Sequence, residues 1–212
     1  MKKIVKTLII TVSSALVLTS CVKDDDYAIP TLREVFFLEN FESIPDANTG
    51  NNQFISLTGW SNVSLNSGSE LWEARMFDGE KYAQLSAFGT GEPNMDTWLI
   101  SPAINLDNTS NEAFSFSYKA AYYNGQAVSA LISTDYDGSG TITAVNNATW
   151  TDLNVTLPDY LTSGYPSNFS NSGALDISGY NGDVYIALRY VGGSSGVTTT
   201  YQIDNFKLFE NN

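Results

Sequence analysis

Apolar residues recur at every second position along much of this chain, and that period of two constrains its fold more than any other feature. Val184-Tyr185-Ile186-Ala187-Leu188-Arg189-Tyr190-Val191 sets Val184, Ile186, Leu188 and Tyr190 on one face, as a strand with one side against a core requires. Phe114-Ser115-Phe116-Ser117-Tyr118 does the same with three rings. The β-prone run 128–133 is bounded by Asn124-Gly125 and by Asp135-Tyr136-Asp137-Gly138. Near the end, Tyr201-Gln202-Ile203-Asp204-Asn205-Phe206-Lys207-Leu208-Phe209 is expected to partner the 184–191 strand. Its alternation breaks between Ile203 and Phe206, which predicts a β-bulge or a polar site at Asp204-Asn205. Further strands are expected over residues 35–39, 82–86, 97–101, 142–144 and 150–156. Turn chemistry separates them, as at Asn66-Ser67-Gly68, Asp78-Gly79 and Asn181-Gly182. The polar stretch 158–173 is expected to wrap a sheet edge or hold a short helical turn. Together these features predict an all-β fold, a jelly-roll type β-sandwich of two antiparallel sheets, as a single domain over 34–212.

The first twenty residues read differently. Met1-Lys2-Lys3 and Lys6 precede an apolar run from Thr7 to Leu18, the charged and hydrophobic regions of a secretory signal. The run is broken by Ser13-Ser14 and falls short of the ~20 residues that a membrane-spanning helix needs. It closes on Leu18-Thr19-Ser20-Cys21, which resembles a bacterial lipobox ending on the cysteine that is diacylated. The expectation is a signal peptide at 1–20, lipidation at Cys21 with outer-membrane lipid as a partner, and a flexible tether over 21–33. Within the tether, Val22-Lys23-Asp24-Asp25-Asp26 resembles the acidic signal that sends Bacteroidetes lipoproteins to the outer face of the outer membrane. The same run also makes a solvated linker. The expected location is therefore the outer membrane, exposed at the cell surface.

Cys21 is the only cysteine, so no disulfide can form within the mature chain. Histidine is absent, which excludes Ser-His-Asp and Cys-His catalysis and imidazole-bound zinc. A carboxylate pair of the glycosidase type is the surviving enzymatic route, and no spacing among the 23 acidic residues singles one out. Removing Lys2, Lys3 and Lys6 from a formal charge of −13 leaves −16 on the mature chain. Such acidity argues against nucleic acid and anionic head groups as partners and is compatible with carbohydrate, protein or divalent cations. Tyr122 and Tyr123 beside Asn124-Gly125, with Tyr136 in a following loop, are the candidate sugar-stacking residues; scattered exposure without a ligand is the alternative. Trp60, Trp72, Trp98 and Trp150 are expected in or at the edge of the core.

Phe37-Leu38-Glu39-Asn40-Phe41-Glu42, then Gly59-Trp60, Asp96-Thr97-Trp98-Leu99-Ile100-Ser101-Pro102 and finally Tyr201-Gln202-Ile203-Asp204-Asn205-Phe206 form an ordered set. It resembles the choice-of-anchor J and cleaved-adhesin group of domains, found in Bacteroidetes surface proteins and gingipain adhesin regions. That group is similar in fold to the MAM-like and carbohydrate-binding jelly rolls. The resemblance implies a structural calcium ion, with Glu42, Asp96 and Asp204 as its ligands and Glu42 and Asp204 foremost. Calcium takes six to eight hard oxygens, which carboxylates and carbonyls at a strand end supply. The alternative is that Asp204 and Asn205 cap a bulge with their own backbone bonds. Asp135-Tyr136-Asp137-Gly138-Ser139-Gly140 resembles a calcium loop but lacks the closing glutamate, and a plain hairpin turn is the alternative there. The chain thus reads as a surface-anchored binding or adhesion module for a glycan or an extracellular protein, without catalytic activity. An accessory subunit of an outer-membrane assembly and a carboxylate-based glycoside hydrolase are the other readings.

Overall fold

In the computed structural model, residues 33–44, 53–66 and 68–211 are described. The leader, Cys21 and the tether up to residue 32 lie outside the described residues. Thirteen strands and one helix follow in chain order: β1 (Val35–Glu39), β2 (Ser61–Ser64), β3 (Glu73–Phe77), β4 (Glu80–Leu85), β5 (Met95–Ile100), β6 (Ile104–Asn105), β7 (Glu112–Ala121) and β8 (Val128–Ser133). Then come α1 (Ile142–Asn147), β9 (Thr151–Asp152), β10 (Ser170–Asn171), β11 (Leu175–Asp176), β12 (Asp183–Gly192) and β13 (Thr200–Glu210). They form two antiparallel sheets packed as a jelly-roll type sandwich. One sheet has seven strands in the order β10-β7-β13-β4-β3, with β1 also on β13 and β11 also on β7. The other has six, ordered β2-β5-β12-β8-β9, with β6 also on β12.

The long alternating segments become the central strands because each can bury one face along its whole length. Val184, Ile186, Leu188 and Tyr190 of β12 meet Tyr201, Ile203, Phe206 and Leu208 of β13 in the main core. These two strands do not pair, contrary to the sequence expectation. Both edges of β12 are taken by β5 and β8, and β13 lies between β7 and the pair β4 and β1. Their apolar faces meet across the sandwich instead of along an edge. The bulge is where the alternation breaks: the register shifts between Asp204 and Lys207, and Asn205 takes a positive φ of 49°.

Rings dominate the packing at the β1 end of the core. Phe206 is fully buried and lies 4.5 Å from Phe114, 5.0 Å from Trp60 and 6.0 Å from Phe37, centroid to centroid. Trp72 and Trp98 are buried, and Trp60 and Trp150 pack at core edges. A second, smaller core sits on the outer face of the six-stranded sheet, where Val63, Trp98, Ile100, Leu131 and Ala187 are covered by α1. Residues 142–144, expected as a strand, open that helix. The Thr141 hydroxyl accepts from the Ala144 amide at 3.1 Å, an N-cap that satisfies a free donor, and Ala144 and Val145 then turn inward. Of the expected strand at 150–156, only Thr151–Asp152 pairs.

Truncating Phe206→Ala removes the ring shared by three aromatic neighbours and leaves a cavity that the two sheets cannot close. The expected cost is about 3–5 kcal/mol, measured as the loss of unfolding free energy in urea. A loss below about 1 kcal/mol would show that the ring cluster does not hold this end of the sandwich.

Candidate binding cleft

The outward face of the seven-stranded sheet is polar because the alternation that turns Ala74, Ala83, Leu85, Tyr201 and Ile203 to the core puts their polar neighbours on the opposite face. Glu73 of β3, Gln84 of β4, Gln202 of β13 and Lys119 of β7 stand opposite one another in register, a row across four strands. Within the row the Gln202 amide donates to Gln84 Oε1 at 3.1 Å. Arg75 Nε donates to Glu73 Oε2 at 2.7 Å, and its guanidinium is ion-paired with the same carboxylate. At the next position along, Thr200 Oγ1 donates to Ser86 Oγ at 2.8 Å, and Ser86 Oγ donates to the Thr198 carbonyl at 3.2 Å. The floor is a hydrogen-bonded lattice held on strands, so its geometry is set before any ligand arrives.

Rings rise at the rim of this floor. Phe88 follows β4 and is 81% exposed, Tyr122 follows β7 at 52%, and Tyr165 lies in the 158–173 stretch at 47%. Together with Glu70, Glu73, Arg75, Gln84, Ser86 and Thr200 they line a cleft of about 730 Å³. Phe88 is placed by a tight turn in which its amide donates to Ser86 Oγ at 3.2 Å. Thr90 Oγ1 donates to the Ala87 carbonyl at 3.0 Å and closes that turn. Tyr122 and Tyr165 meet edge to face, 5.5 Å apart with planes at 90°. Burial, with the nearby Tyr122, raises the Tyr165 phenol above its ordinary range. Burial raises the Glu70 carboxyl too, and the charges of Glu73 and Glu92 push it further in the same direction. The cleft therefore joins apolar ring faces to planar hydrogen-bonding groups with a surplus of negative charge.

Of the three tyrosines read from the sequence, one lines the cleft. Tyr123 instead stacks on Tyr160 at 3.8 Å with planes 14° apart and so pins the 158–173 stretch to the end of β7. That stretch runs along the sheet edge, where Tyr160 bridges to Ala120 and β10 pairs with β7. Tyr136 is not a surface residue: it is 4% exposed and belongs to the smaller core. Its hydroxyl donates to Ser61 Oγ at 3.2 Å and accepts from the Gly140 amide at 2.9 Å. A ring beside two aspartates looks solvent-facing in sequence, but here the turn folds back over Trp150 and Tyr185. The cleft residues that sequence reading missed include Phe88, Tyr165, Arg75 and Gln84. Phe88 carried a signal, a large ring beside Gly89 in a turn. The others sit in segments with no pattern of their own.

The expected metal residues separate into two places. Glu42 and Asp204 come together where the loop after β1 meets the bulge of β13. Asp204 is 8% exposed, and burial, reinforced by the charges of Glu42, Glu80 and Glu39, pushes its carboxyl up to about 6. Asp96 is elsewhere, on β5 of the opposite sheet. It accepts from Arg189 Nε at 2.8 Å and Nη2 at 2.7 Å, and from Trp98 Nε1 at 2.8 Å. This two-pronged ion pair leaves Asp96 no part in a site with Glu42 and Asp204. At the junction itself the oxygens already have partners. Asp204 accepts from the Asn205 amide at 2.6 Å and from its side-chain nitrogen at 3.0 Å. The carbonyls of Glu42 and Ile44 hold the Lys81 ammonium at 2.9 and 2.7 Å. Among the described residues, no group of three or more acidic side chains is arranged to hold a metal. These donors do not fit an added divalent ion. In the Asp135–Gly140 turn, Asp135 accepts from Ser133 Oγ and from the Thr149 amide, and Asp137 accepts from the Ser139 amide.

Because the folded chain holds Asp204 above its ordinary value of 3.8, folding favours its protonated form. That contribution is full below pH 4 and is lost as the pH rises toward about 6. Asp204→Asn keeps an acceptor for the Asn205 amide and removes the charge. Relative to the parent chain it should gain on the order of 1 kcal/mol between pH 4 and 7, after allowance for solvent screening. Urea unfolding of both proteins across that range measures the difference, and a pH-independent difference would refute the assignment.

A family described as "Domain of unknown function (DUF5017)" matches residues 97–212, more than half of the chain. No curated protein matches it. Among solved structures, the K2 cleaved adhesin domain of Lys-gingipain is similar with a TM-score of 0.54 at 15% identity, covering 82% of this chain and 98% of that one. The K1 cleaved adhesin domain of Lys-gingipain from Porphyromonas gingivalis W83 gives a TM-score of 0.50 at 15% identity, covering 83% and 98%. The C-terminal family 22 carbohydrate-binding module of Clostridium thermocellum Xyn10B gives 0.40 at 15%, covering 85% and 97%, too distant to carry an argument. At these identities the likenesses establish the fold alone.

Proposed function

We propose that this chain, which belongs to the DUF5017 family, is a non-catalytic surface module that holds an uncharged polysaccharide in the cleft on its seven-stranded sheet. The observation that carries this reading is the pairing of exposed rings with planar polar groups. Phe88, Tyr122 and Tyr165 stand over a floor that presents Glu73, Arg75 and Gln84. A pyranose ring has an apolar C–H face and a rim of hydroxyls, so it needs a flat ring on one side and paired donors and acceptors around it. Guanidinium, carboxylate and carboxamide groups are planar and bond two neighbouring hydroxyls at once. Charge narrows the ligand. Arg75 is matched by Glu73, which leaves the Glu70 carboxyl as the unbalanced charge of the same cleft, so a uronate or sulfated chain meets repulsion there. The leader and Cys21 supply the anchor in this reading, with the domain carried outside on the acidic tether and free to hold glycan at the cell surface.

Binding to soluble neutral polysaccharides, measured by affinity electrophoresis and calorimetry, tests this directly. Phe88→Ala and Tyr165→Ala should each weaken binding about tenfold or more, equivalent to at least roughly 1.4 kcal/mol, without lowering the unfolding midpoint. Polygalacturonate and alginate should not bind. Unchanged affinity in both variants, or preference for the acidic polymers, would defeat the reading. For the anchor, Cys21→Ala should move the protein from the membrane to the soluble fraction of detergent-partitioned cells. A variant still held in the membrane would exclude lipidation at that residue.

A further inference from the structure

The junction between the loop after β1 and strand β4 is closed by a side chain. Glu39 Oε1 accepts from the Phe41 amide at 2.6 Å, which helps hold Phe41 at a φ of +57°, a region costly for a bulky residue. That strain is offset by burial, since the Phe41 ring is fully enclosed and lies 6.0 Å from Trp60. The Ile44 amide then donates to the Phe41 carbonyl at 3.2 Å, and the turn so formed aims the carbonyls of Glu42 and Ile44 at one point. Lys81 Nζ sits at that point, 2.9 Å from the first and 2.7 Å from the second. The Lys81 amide also donates to Glu42 Oε1 at 2.9 Å. One residue of β4 therefore binds the loop through three hydrogen bonds.

The surroundings call for a cation. Glu39, Glu42 and Glu80 all act on the carboxyl of Asp204, and like charges so gathered oppose one another. A calcium ion meets such a need with six to eight oxygens; an ammonium meets it with a single charge and three donors. We propose that Lys81 is the resident cation of this junction, so that the loop closes on the sheet without calcium. The proposal is independent of the glycan reading, because Lys81 and the loop carbonyls it binds are not among the cleft-lining residues.

Thermal unfolding of the purified protein in EGTA and in millimolar calcium decides the matter. The parent chain should show the same midpoint in both, within about 1 °C. Lys81→Met should lower the midpoint in EGTA by about 3–6 °C and recover part of that loss in calcium, because the carbonyls and carboxylates are then free to take an ion. Lys81→Arg keeps the charge and should stay indifferent to calcium, which preserves the test if the methionine variant does not fold. A calcium-dependent rise of several degrees in the parent chain, or stoichiometric calcium binding to it by calorimetry, would overturn the proposal. So would a Lys81→Met variant that loses no stability or gains no response to calcium.

Discussion

The extra residue in β13 is the constraint on which the rest of the sandwich rests. Before the bulge, Tyr201 and Ile203 face the core, and after it Phe206 and Leu208 do. Without a break at Asp204-Asn205, strict alternation would turn Phe206 and Leu208 to solvent. The bulge also divides one edge of the strand. Residues 201–203 pair with β4, and residues 206–209 pair with β1. On its other edge β13 runs beside β7 from Thr200 to Glu210. One local irregularity thus lets a single strand collect three neighbours and keep one continuous apolar face.

The same parity organises the outer surface. Thr200, Gln202 and Asp204 alternate with the core residues and project to the other side, the last about 14 Å along the strand from the first. Thr200 lines the cleft, whereas Asp204 lies at the acidic junction with the first loop. Cleft and junction are therefore neighbours on one face yet differ in chemistry. The cleft gathers rings from loops that follow β4 and β7 and from the 158–173 stretch, as expected of a rigid sheet that displays variable loops. The junction gathers carboxylates and is closed by Lys81. Placing the ligand-facing lattice on strands and the rings on short, hydrogen-bonded turns gives an ordered surface without burying any polar group unpaired there.

What the sequence disclosed follows from how local each feature is. Strands β1 and β8 match the expected residues at both ends, and the bulge could be read because a broken period is visible in nine residues. The pairing of β12 with β13 was misread because neighbourhood in sequence says little about which sheet a strand joins once both of its edges are claimed by distant partners. Residues 142–144 read as β-prone until the hydroxyl of Thr141 is seen to cap a helix. Tyr136 illustrates the remaining gap. Its sequence context is polar, yet the turn that carries it closes on a second core under α1 that the sequence did not suggest. The cleft was largely invisible for the same reason. Its floor joins alternate positions of the β3–β4 hairpin to those of β13, which lies far along the chain, and its three rings come from three separate segments.

With Cys21 as its only cysteine, the chain can form no internal disulfide and must fasten its loops by other means, and the same device recurs at each end of the sandwich. Tyr190 is fully buried, its hydroxyl accepting from the Ala87 amide at 3.0 Å and donating to the Thr199 carbonyl at 2.9 Å. Burial pushes that phenol up to about 12, so it stays a neutral donor. Asn124 Oδ1 accepts from the Thr198 amide at 2.9 Å while its nitrogen donates to the Gly196 carbonyl at 3.1 Å, which closes the loop between β12 and β13. Ser101 Oγ accepts from the Ile186 amide at 3.0 Å where β5 leaves its sheet. Lys81 extends the device to the first loop, where backbone carbonyls are the groups to be satisfied and an ammonium is the matching donor. Each clasp uses one side chain to satisfy backbone groups that no strand reaches; at the buried Tyr190 and Ser101 bonds, leaving those groups unpaired would cost about 1–3 kcal/mol apiece. A side-chain cation has a further property that a bound ion lacks. It is covalently part of the strand it braces, so dilution and chelators cannot remove it.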